Sequence, residues 1–188
     1  MITASGKILT IEDFRNLDPA DLPPSDIQYA LHMLPRFCGR GLSVWEHSKY
    51  LFLIGARHQI SPALKIALLL HDAGEMAGML DIPAPEKHLP CWAPIVEIQE
   101  TFQANLFEYY NIRLSTEEHA ILKTWDHWAA YLEADHDLRG EARSSVLHAW
   151  GRPPAIPPEY RQLWTSGEVR GWHVTLSAVL KAFRAGEL

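Results

Sequence analysis

The sequence predicts an all-α protein that forms a single compact helical bundle. Apolar residues recur at helical spacing, and one such stripe contains His47, Leu51, Ile54 and His58. Two segments, 43–46 and 115–118, have Ser followed three residues later by Glu, the capping-box pattern that begins helices. Because no segment alternates apolar and polar residues as a half-buried strand does, we expect no sheet.

Three regions follow one another along the 188 residues, a length that suits one domain with a real core. Residues 1–25 are rich in Pro, Asp and Leu, which predicts an irregular N-terminal lead-in. The core is expected over 26–150. A proline hinge and a C-terminal helix packed on the core are expected over 151–188.

Start signals predict the first three helices of the core. Asp26 is expected to cap a short helix that precedes a loop over 35–42. Ser43 begins the next helix, which runs to about His58. Ser61 then provides an N-cap before Pro62, and the residues that follow are apolar nearly all round, so this helix should be central.

The second half of the core is predicted in the same way. A long loop is expected from Gly74 to Pro85, followed by a helix over roughly 94–110. Another helix begins at Ser115, and a last one is expected at about 170–184.

Composition excludes several classes of protein. A formal net charge of −6 argues against a non-specific binder of nucleic-acid polymers. The longest apolar stretch, 63–70, is too short to span a membrane, and no basic-then-apolar leader opens the chain. Two isolated cysteines, Cys38 and Cys91, do not make a disulfide framework, so a reducing cytoplasmic setting is expected.

Four residues form a candidate metal site. The apolar central helix ends in His71-Asp72, where an isolated buried carboxylate would be costly. His47 starts the helix before it, and Asp126 lies within an apolar helix downstream. A site of two imidazoles and two carboxylates suits Mn²⁺, Co²⁺, Zn²⁺ or Fe²⁺. It is unlike a structural zinc site, which is rich in thiolates. A five- or six-coordinate ion would keep a position open for water or substrate.

These residues lie in segments that resemble the successive motifs of HD-domain phosphohydrolases. The segments are Glu46-His47-Ser48, His71-Asp72-Ala73-Gly74-Glu75, Asp81-Ile82-Pro83-Ala84-Pro85-Glu86-Lys87 and Trp125-Asp126. They are most similar to those of bacterial 5'-deoxynucleotidases and of the phage-borne dATP triphosphohydrolases. The stretch Asp26-Ile27-Gln28-Tyr29-Ala30-Leu31 and the later Arg36-Phe37 also resemble the phage branch. The resemblance covers about residues 26–136, within the expected HD phosphohydrolase core.

The resemblance implies a role for each matching residue. It implies that His47, His71, Asp72 and Asp126 bind one divalent Co²⁺, Zn²⁺ or Mn²⁺ ion, with Asp72 also part of the catalytic group. Glu75 would handle the proton of the attacking water. The implied substrate contacts are Arg36 to phosphate, Phe37 to the sugar and base, Asp81 to the sugar 3'-hydroxyl, and Pro83 beside it. A second ion such as Mg²⁺ could accompany the substrate phosphates.

The expected activity is hydrolysis at the 5' α-phosphate of a deoxyribonucleotide. The substrate is dATP, deoxynucleoside monophosphates or both, and we lean toward the phage branch. The resemblance further implies a homo-oligomer, in the host cytoplasm if the gene is phage-borne. The net charge and the short apolar stretches predict that neither a nucleic-acid polymer nor a membrane is a partner.

Other interpretations stay open at this point. The site could hydrolyse a signalling nucleotide such as guanosine tetraphosphate, hold a metal without turnover, or be a metal-free structural cluster. Arg36 could pair with Asp26 or Glu46, Phe37 could be a core residue, and Asp81 a turn residue. The remaining histidines of the later helix, His119, His127 and His136, are expected to be structural or exposed.

Overall fold

The computed structural model describes residues 1, 3–39, 41–82, 86–151, 153, 156–166, 171 and 173–188, apart from the side chains of Cys38 and Trp150. Within these residues the fold is all-α, as predicted, and an isolated bridge joins Pro35 to Ser43. The helices are α1 (Ile11–Arg15), α2 (Pro24–Met33), α3 (Val44–Arg57), α4 (Pro62–Leu70), α5 (Ala93–Tyr109), α6 (Thr116–Asp137), α7 (Gly140–Trp150), α8 (Pro158–Thr165) and α9 (Leu176–Ala185).

Capping determines where the site-bearing helices begin. Ser43 and Ser115 both form complete capping boxes, with Glu46 and Glu118 as the reciprocal partners. Ser61 caps α4, with Pro62 as its first residue. The predicted starts of α3, α4 and α6 are therefore confirmed.

The predicted start of α2 at Asp26 is wrong. The helix begins at Pro24, because the fixed φ of proline suits the first helical position. Asp26 is completely buried, and its carboxylate accepts hydrogen bonds from the backbone N–H and the hydroxyl of Ser5, at 2.9 and 2.6 Å. Asp26 thus fastens the N-terminal segment to α2.

The segment before α2 is more regular than expected. Thr10 and Asp13 form a capping box that starts α1, and Asp18 caps the 3-10 helix Pro19–Asp21. Asp at the third helical position can complete such a box as Glu does, but the expected pattern required Glu or Gln. A further 3-10 helix, Ala73–Met76, lies at the start of the region expected to be a loop.

Helices α3 and α4 lie between two hydrophobic clusters. The larger cluster contains Phe14 and Phe102, whose rings meet edge to face at 5.1 Å between centroids. The smaller cluster contains Tyr50 and Trp164, also edge to face, at 4.7 Å. Residues of α4 from Leu64 to Leu70 enter both clusters, which explains why this helix is apolar nearly all round.

The C-terminal region completes both clusters. Helix α9 buries Leu176, Val179 and Leu180 in the larger cluster, and the Leu176 N–H donates to the Gln28 side chain at 2.8 Å. Helix α8, which begins at the end of the expected proline hinge, adds to the smaller cluster. Part of the hinge and the start of the expected last helix lie outside the described residues.

Gly74 lies where the 3-10 helix crosses α5 at very short range. A Cβ atom at this position would lie 2.3 Å from the carbonyl oxygen of Gln99. Only glycine allows this approach, so α5 and the 73–76 segment are held together closely.

We expect Gly74→Ala to lower the free energy of unfolding by about 1–3 kcal/mol, since overpacking forces backbone shifts of this cost. Urea denaturation in the presence of a chelator measures the effect without a contribution from metal. Gly171→Ala is the matched control, because a Cβ there would meet no atom of the described residues within 4 Å. Equal losses in the two variants would contradict the close approach.

Candidate metal centre

The structure brings the four predicted ligand residues together from three helices. His47 lies one turn inside the capped start of α3, and Asp126 lies in the middle of α6. His71 and Asp72 directly follow the last residue of α4. One possible ligand atom from each of the four residues lies within 4.8 Å of all the others.

The two imidazoles face each other through their Nε2 atoms, which are 3.3 Å apart. Two carboxylates complete the group. Asp126 Oδ1 lies 3.0 Å from Nε2 of His47 and 3.4 Å from that of His71. Asp72 Oδ2 lies 3.1 Å from Nε2 of His71. The set has the composition and closeness that a divalent transition-metal ion requires of its ligands.

Each imidazole is held from behind through its Nδ1 atom. The Nδ1–H of His47 donates to Oε1 of Glu133 at 2.5 Å, and that of His71 donates to the Leu68 carbonyl at 3.1 Å. A neutral imidazole carries one N–H, so both Nε2 atoms keep a lone pair toward the centre. Such partners behind the ligands are typical of metal-binding histidines.

Arg36 contacts two carboxylates at the centre. Its Nη1 donates to Oδ2 of Asp72 at 3.2 Å, and its Nε lies 2.9 Å from Oε2 of Glu133. Arg36 is only 6% exposed, and Glu133 is completely buried. The alternatives in which Arg36 pairs with Asp26 or Glu46 are therefore wrong, since its partners are Asp72 and Glu133.

The electrostatics of the centre favour a positive charge. Burial opposes protonation of His71, yet Asp72 and Asp126 hold its pKa well above the ordinary value. For His47, burial and Arg36 oppose protonation, but Glu133 and Asp126 outweigh them and raise the pKa. A bound cation would satisfy the same negative potential that raises both pKa values.

Glu75 lies beside the centre in a cavity of about 100 Å³ that is also lined by His71, Asp72 and Lys87. It is 4% exposed; its Oε1 accepts from the Lys87 ammonium at 3.3 Å, whereas its Oε2 has no hydrogen-bond partner among the residues that the structure describes. Burial raises the pKa of Glu75 well above its usual value, and Asp72 and Asp81 raise it further against the effect of Lys87 and Arg36. A carboxyl with a raised pKa is suited to proton transfer near neutral pH.

Two glutamines of α5 support the segment that carries Glu75. The Gly74 N–H donates to Oε1 of Gln103 at 2.8 Å. The Gln99 amide donates to the carbonyls of Ala77 and Leu80, at 3.2 and 2.9 Å. Helix α5 therefore fixes both sides of the turn between Glu75 and Asp81.

The residues expected to contact substrate differ in how they are placed relative to the centre. Burial and Asp72 raise the pKa of Asp81, although Arg36 and Lys87 oppose this, so Asp81 shares the electrostatic environment of the centre. Phe37 is half-buried with a positive φ of 51°, and the Arg36 guanidinium lies 5.8 Å from its ring centroid. Pro83 lies outside the described residues.

Sequence reasoning missed Glu133 and the two glutamines. Glu133 follows Asp126 by seven residues, a spacing that places both on one face of α6, and that periodicity was the available signal. Gln99 and Gln103 are one helical turn apart, but neutral side chains on an amphipathic helix give no comparable signal.

Comparisons with models of known protein families and with curated proteins find no match to this chain. In the part of the chain that the structure describes, none of the helices combines the length and apolar character that crossing a membrane needs.

We expect His71→Ala to weaken Co²⁺ binding by at least about 100-fold, because loss of a ligand costs more than the roughly 10- to 100-fold loss of a ligand's supporting partner. Equilibrium dialysis with elemental analysis measures the bound ion. His127→Ala is the control, since His127 adjoins Asp126 but is not among the clustered residues. Equal Co²⁺ binding by both variants would contradict this ligand set.

Proposed function

We propose that this protein is a metal-dependent phosphohydrolase that attacks the 5' α-phosphate of deoxyribonucleotides. The observation that carries the proposal is the position of Glu75. This buried carboxylate lies in the same cavity as His71 and Asp72, next to a group of residues able to hold a divalent ion. Metal-assisted hydrolysis needs a bound metal ion beside a carboxyl group whose pKa is raised.

His47, His71, Asp72 and Asp126 would hold the ion, which we propose to be Co²⁺, Zn²⁺ or Mn²⁺. When bound, such an ion lowers the pKa of water and stabilises negative charge on a phosphoryl oxygen. The Asp126 side chain is 39% exposed, whereas His47 is completely buried. Substrate would therefore approach from the Asp126 side.

Glu75 accepts the proton of the attacking water in this proposal. In the described part of the chain its Oε2 has no hydrogen-bond partner, so it can accept a hydrogen bond from a water molecule in the cavity. Lys87, at 3.3 Å from Oε1, holds the carboxylate in place and adds positive charge near the phosphates. Asp72 acts both as a ligand and as the partner that keeps Arg36 against the centre.

Phosphate would meet two cations, Arg36 and Lys87. The Lys87 ammonium lies 3.3 Å from Glu75 and the Arg36 guanidinium 3.2 Å from Asp72, so each cation contacts a carboxylate of the proposed reacting group. Guanidinium binds phosphate oxygens with paired donors, and ammonium binds them as a point charge. A Mg²⁺ ion could accompany the outer phosphates of a triphosphate.

The resemblance to HD phosphohydrolases supports the choice of substrate. Asp81 would meet the sugar 3'-hydroxyl with Pro83 beside it, and Phe37 would contact the sugar and base. Water attacks the α-phosphorus and the bond to the 5'-oxygen breaks. The products are deoxyadenosine and triphosphate from dATP, or a deoxynucleoside and phosphate from a monophosphate. The same resemblance supports a homo-oligomer. A cytoplasmic location, with neither nucleic-acid polymers nor membranes as partners, is proposed from the two isolated cysteines, the net charge of −6 and the shortness of the apolar stretches.

Product analysis by chromatography tests the substrate class. Protein loaded with Co²⁺ or Mn²⁺ is given dATP, the other dNTPs, the dNMPs and the matching ribonucleotides. Deoxyadenosine and triphosphate from dATP alone would identify a triphosphohydrolase, and phosphate from many monophosphates would identify a 5'-deoxynucleotidase. A metal-loaded protein that turns over none of them would overturn the proposal in favour of a non-catalytic metal-holding module.

We expect Glu75→Gln to lower kcat by about 10²- to 10⁴-fold while Co²⁺ remains bound, because the amide cannot accept the proton. Steady-state kinetics on the best substrate, together with the metal content, measure this. Glu86→Gln is the matched control, since Glu86 is an exposed residue close to Lys87. A Glu75→Gln variant that keeps more than about a tenth of the parent kcat would show that Glu75 is not the base.

A further inference from the structure

We infer that Glu133 is a positioning residue that determines how tightly the centre binds its metal ion. Glu133 would hold His47 in the tautomer that can bind metal. This role is separate from its role as the counter-charge of Arg36. The inference rests on the metal centre of the proposed function, but it does not depend on hydrolysis.

The contact between Glu133 and His47 fixes the imidazole. Glu133 is completely buried, and its Oε1 accepts the Nδ1–H of His47 at 2.5 Å. In the neutral form with that proton on Nδ1, His47 has its Nε2 lone pair available to a cation held between Nε2 and its neighbours Asp126 and His71, which lie 3.0 and 3.3 Å away. Without an acceptor at this position the proton could move to Nε2, where it would block metal binding.

The two histidines of the centre have different partners. His71 donates to the backbone carbonyl of Leu68, a neutral acceptor, whereas His47 donates to a carboxylate. A charged acceptor makes the stronger hydrogen bond and increases the basicity of the imidazole. His47 should therefore be the stronger of the two nitrogen ligands, and this strength should depend on Glu133.

Arg36 links Glu133 to a second ligand. The guanidinium lies 2.9 Å from Oε2 of Glu133 through Nε and donates to Asp72 through Nη1. Loss of the Glu133 charge would leave Arg36 buried with Asp72 as its remaining ion-pair partner at these distances. A buried cation without its counter-charge is costly, so a stability effect must be separated from an effect on metal binding.

The experiment is a Co²⁺ titration of Glu133→Gln without any substrate, followed by the visible absorption of the ion and by chelator competition. We expect the Kd for Co²⁺ to rise about 10- to 100-fold, as observed when the partner of a metal-bound histidine is lost. Glu117→Gln, an exposed position on the same helix, is the matched control and should keep the parent Kd. Circular dichroism of the metal-free proteins reports whether each variant is folded.

A second pair of variants keeps the test decisive if Glu133→Gln does not fold. Arg36→Met is compared with the double variant Arg36→Met/Glu133→Gln, in which neither buried charge of the pair remains. We expect the double variant to bind Co²⁺ at least about tenfold more weakly than Arg36→Met alone. Equal affinities within this pair, or a folded Glu133→Gln with the parent Kd, would overturn the inference.

These outcomes separate the inference from the proposed hydrolysis. Glu133-dependent Co²⁺ binding by a protein that hydrolyses no nucleotide would support the inference and overturn the proposed function. Hydrolysis that persists alongside a Co²⁺ affinity independent of Glu133 would overturn the inference and support the function.

Discussion

Compensation of buried charge is the constraint on which the arrangement of α3, α4 and α6 depends. Asp72 and Glu133 are removed from most or all solvent, and their negative charge is balanced by the guanidinium of Arg36 and by two imidazoles. An uncompensated carboxylate in this setting would cost several kcal/mol. The balance therefore restricts where each helix can lie, because a shift of any one of them would separate a charge from its partner.

The same compensation of charge links the proposed metal ligands to the residues that contact them. Arg36 contacts one proposed ligand, Asp72, and the partner of another, Glu133. Helix α6 contributes Asp126, a proposed ligand, and two turns later Glu133, the hydrogen-bond partner of His47. The centre is thus held by a connected set of hydrogen bonds and ion pairs, and its geometry is a property of three helices together.

Much of this arrangement could be predicted from the sequence, for identifiable reasons. Capping boxes are local and obey strict spacing, so the starts of α3 and α6 were predictable, and His47 had to lie one turn inside. The closeness of His71, Asp72 and Asp126 was predictable from their apolar surroundings and the motif resemblance. The burial of Asp26 was not, because its partner Ser5 is 21 residues away and belongs to a segment expected to be irregular. The roles of Gln99 and Gln103 depend equally on tertiary contacts that leave no periodic pattern.

The caps of α4 and α6 also connect these two helices to each other. The hydroxyl of Ser61, which caps α4, donates to Glu118, the residue that completes the capping box of α6. The two helices are thus fastened to each other at their first turns, while the proposed ligands lie eight to eleven residues farther along each of them. Sliding of one helix along the other would break the contact between Ser61 and Glu118, although the hydrogen bonds within each cap would remain. The contact between Ser61 and Glu118 therefore fixes the register of α4 and α6 at one end, and the charge pairs among the proposed ligands restrict their separation at the other.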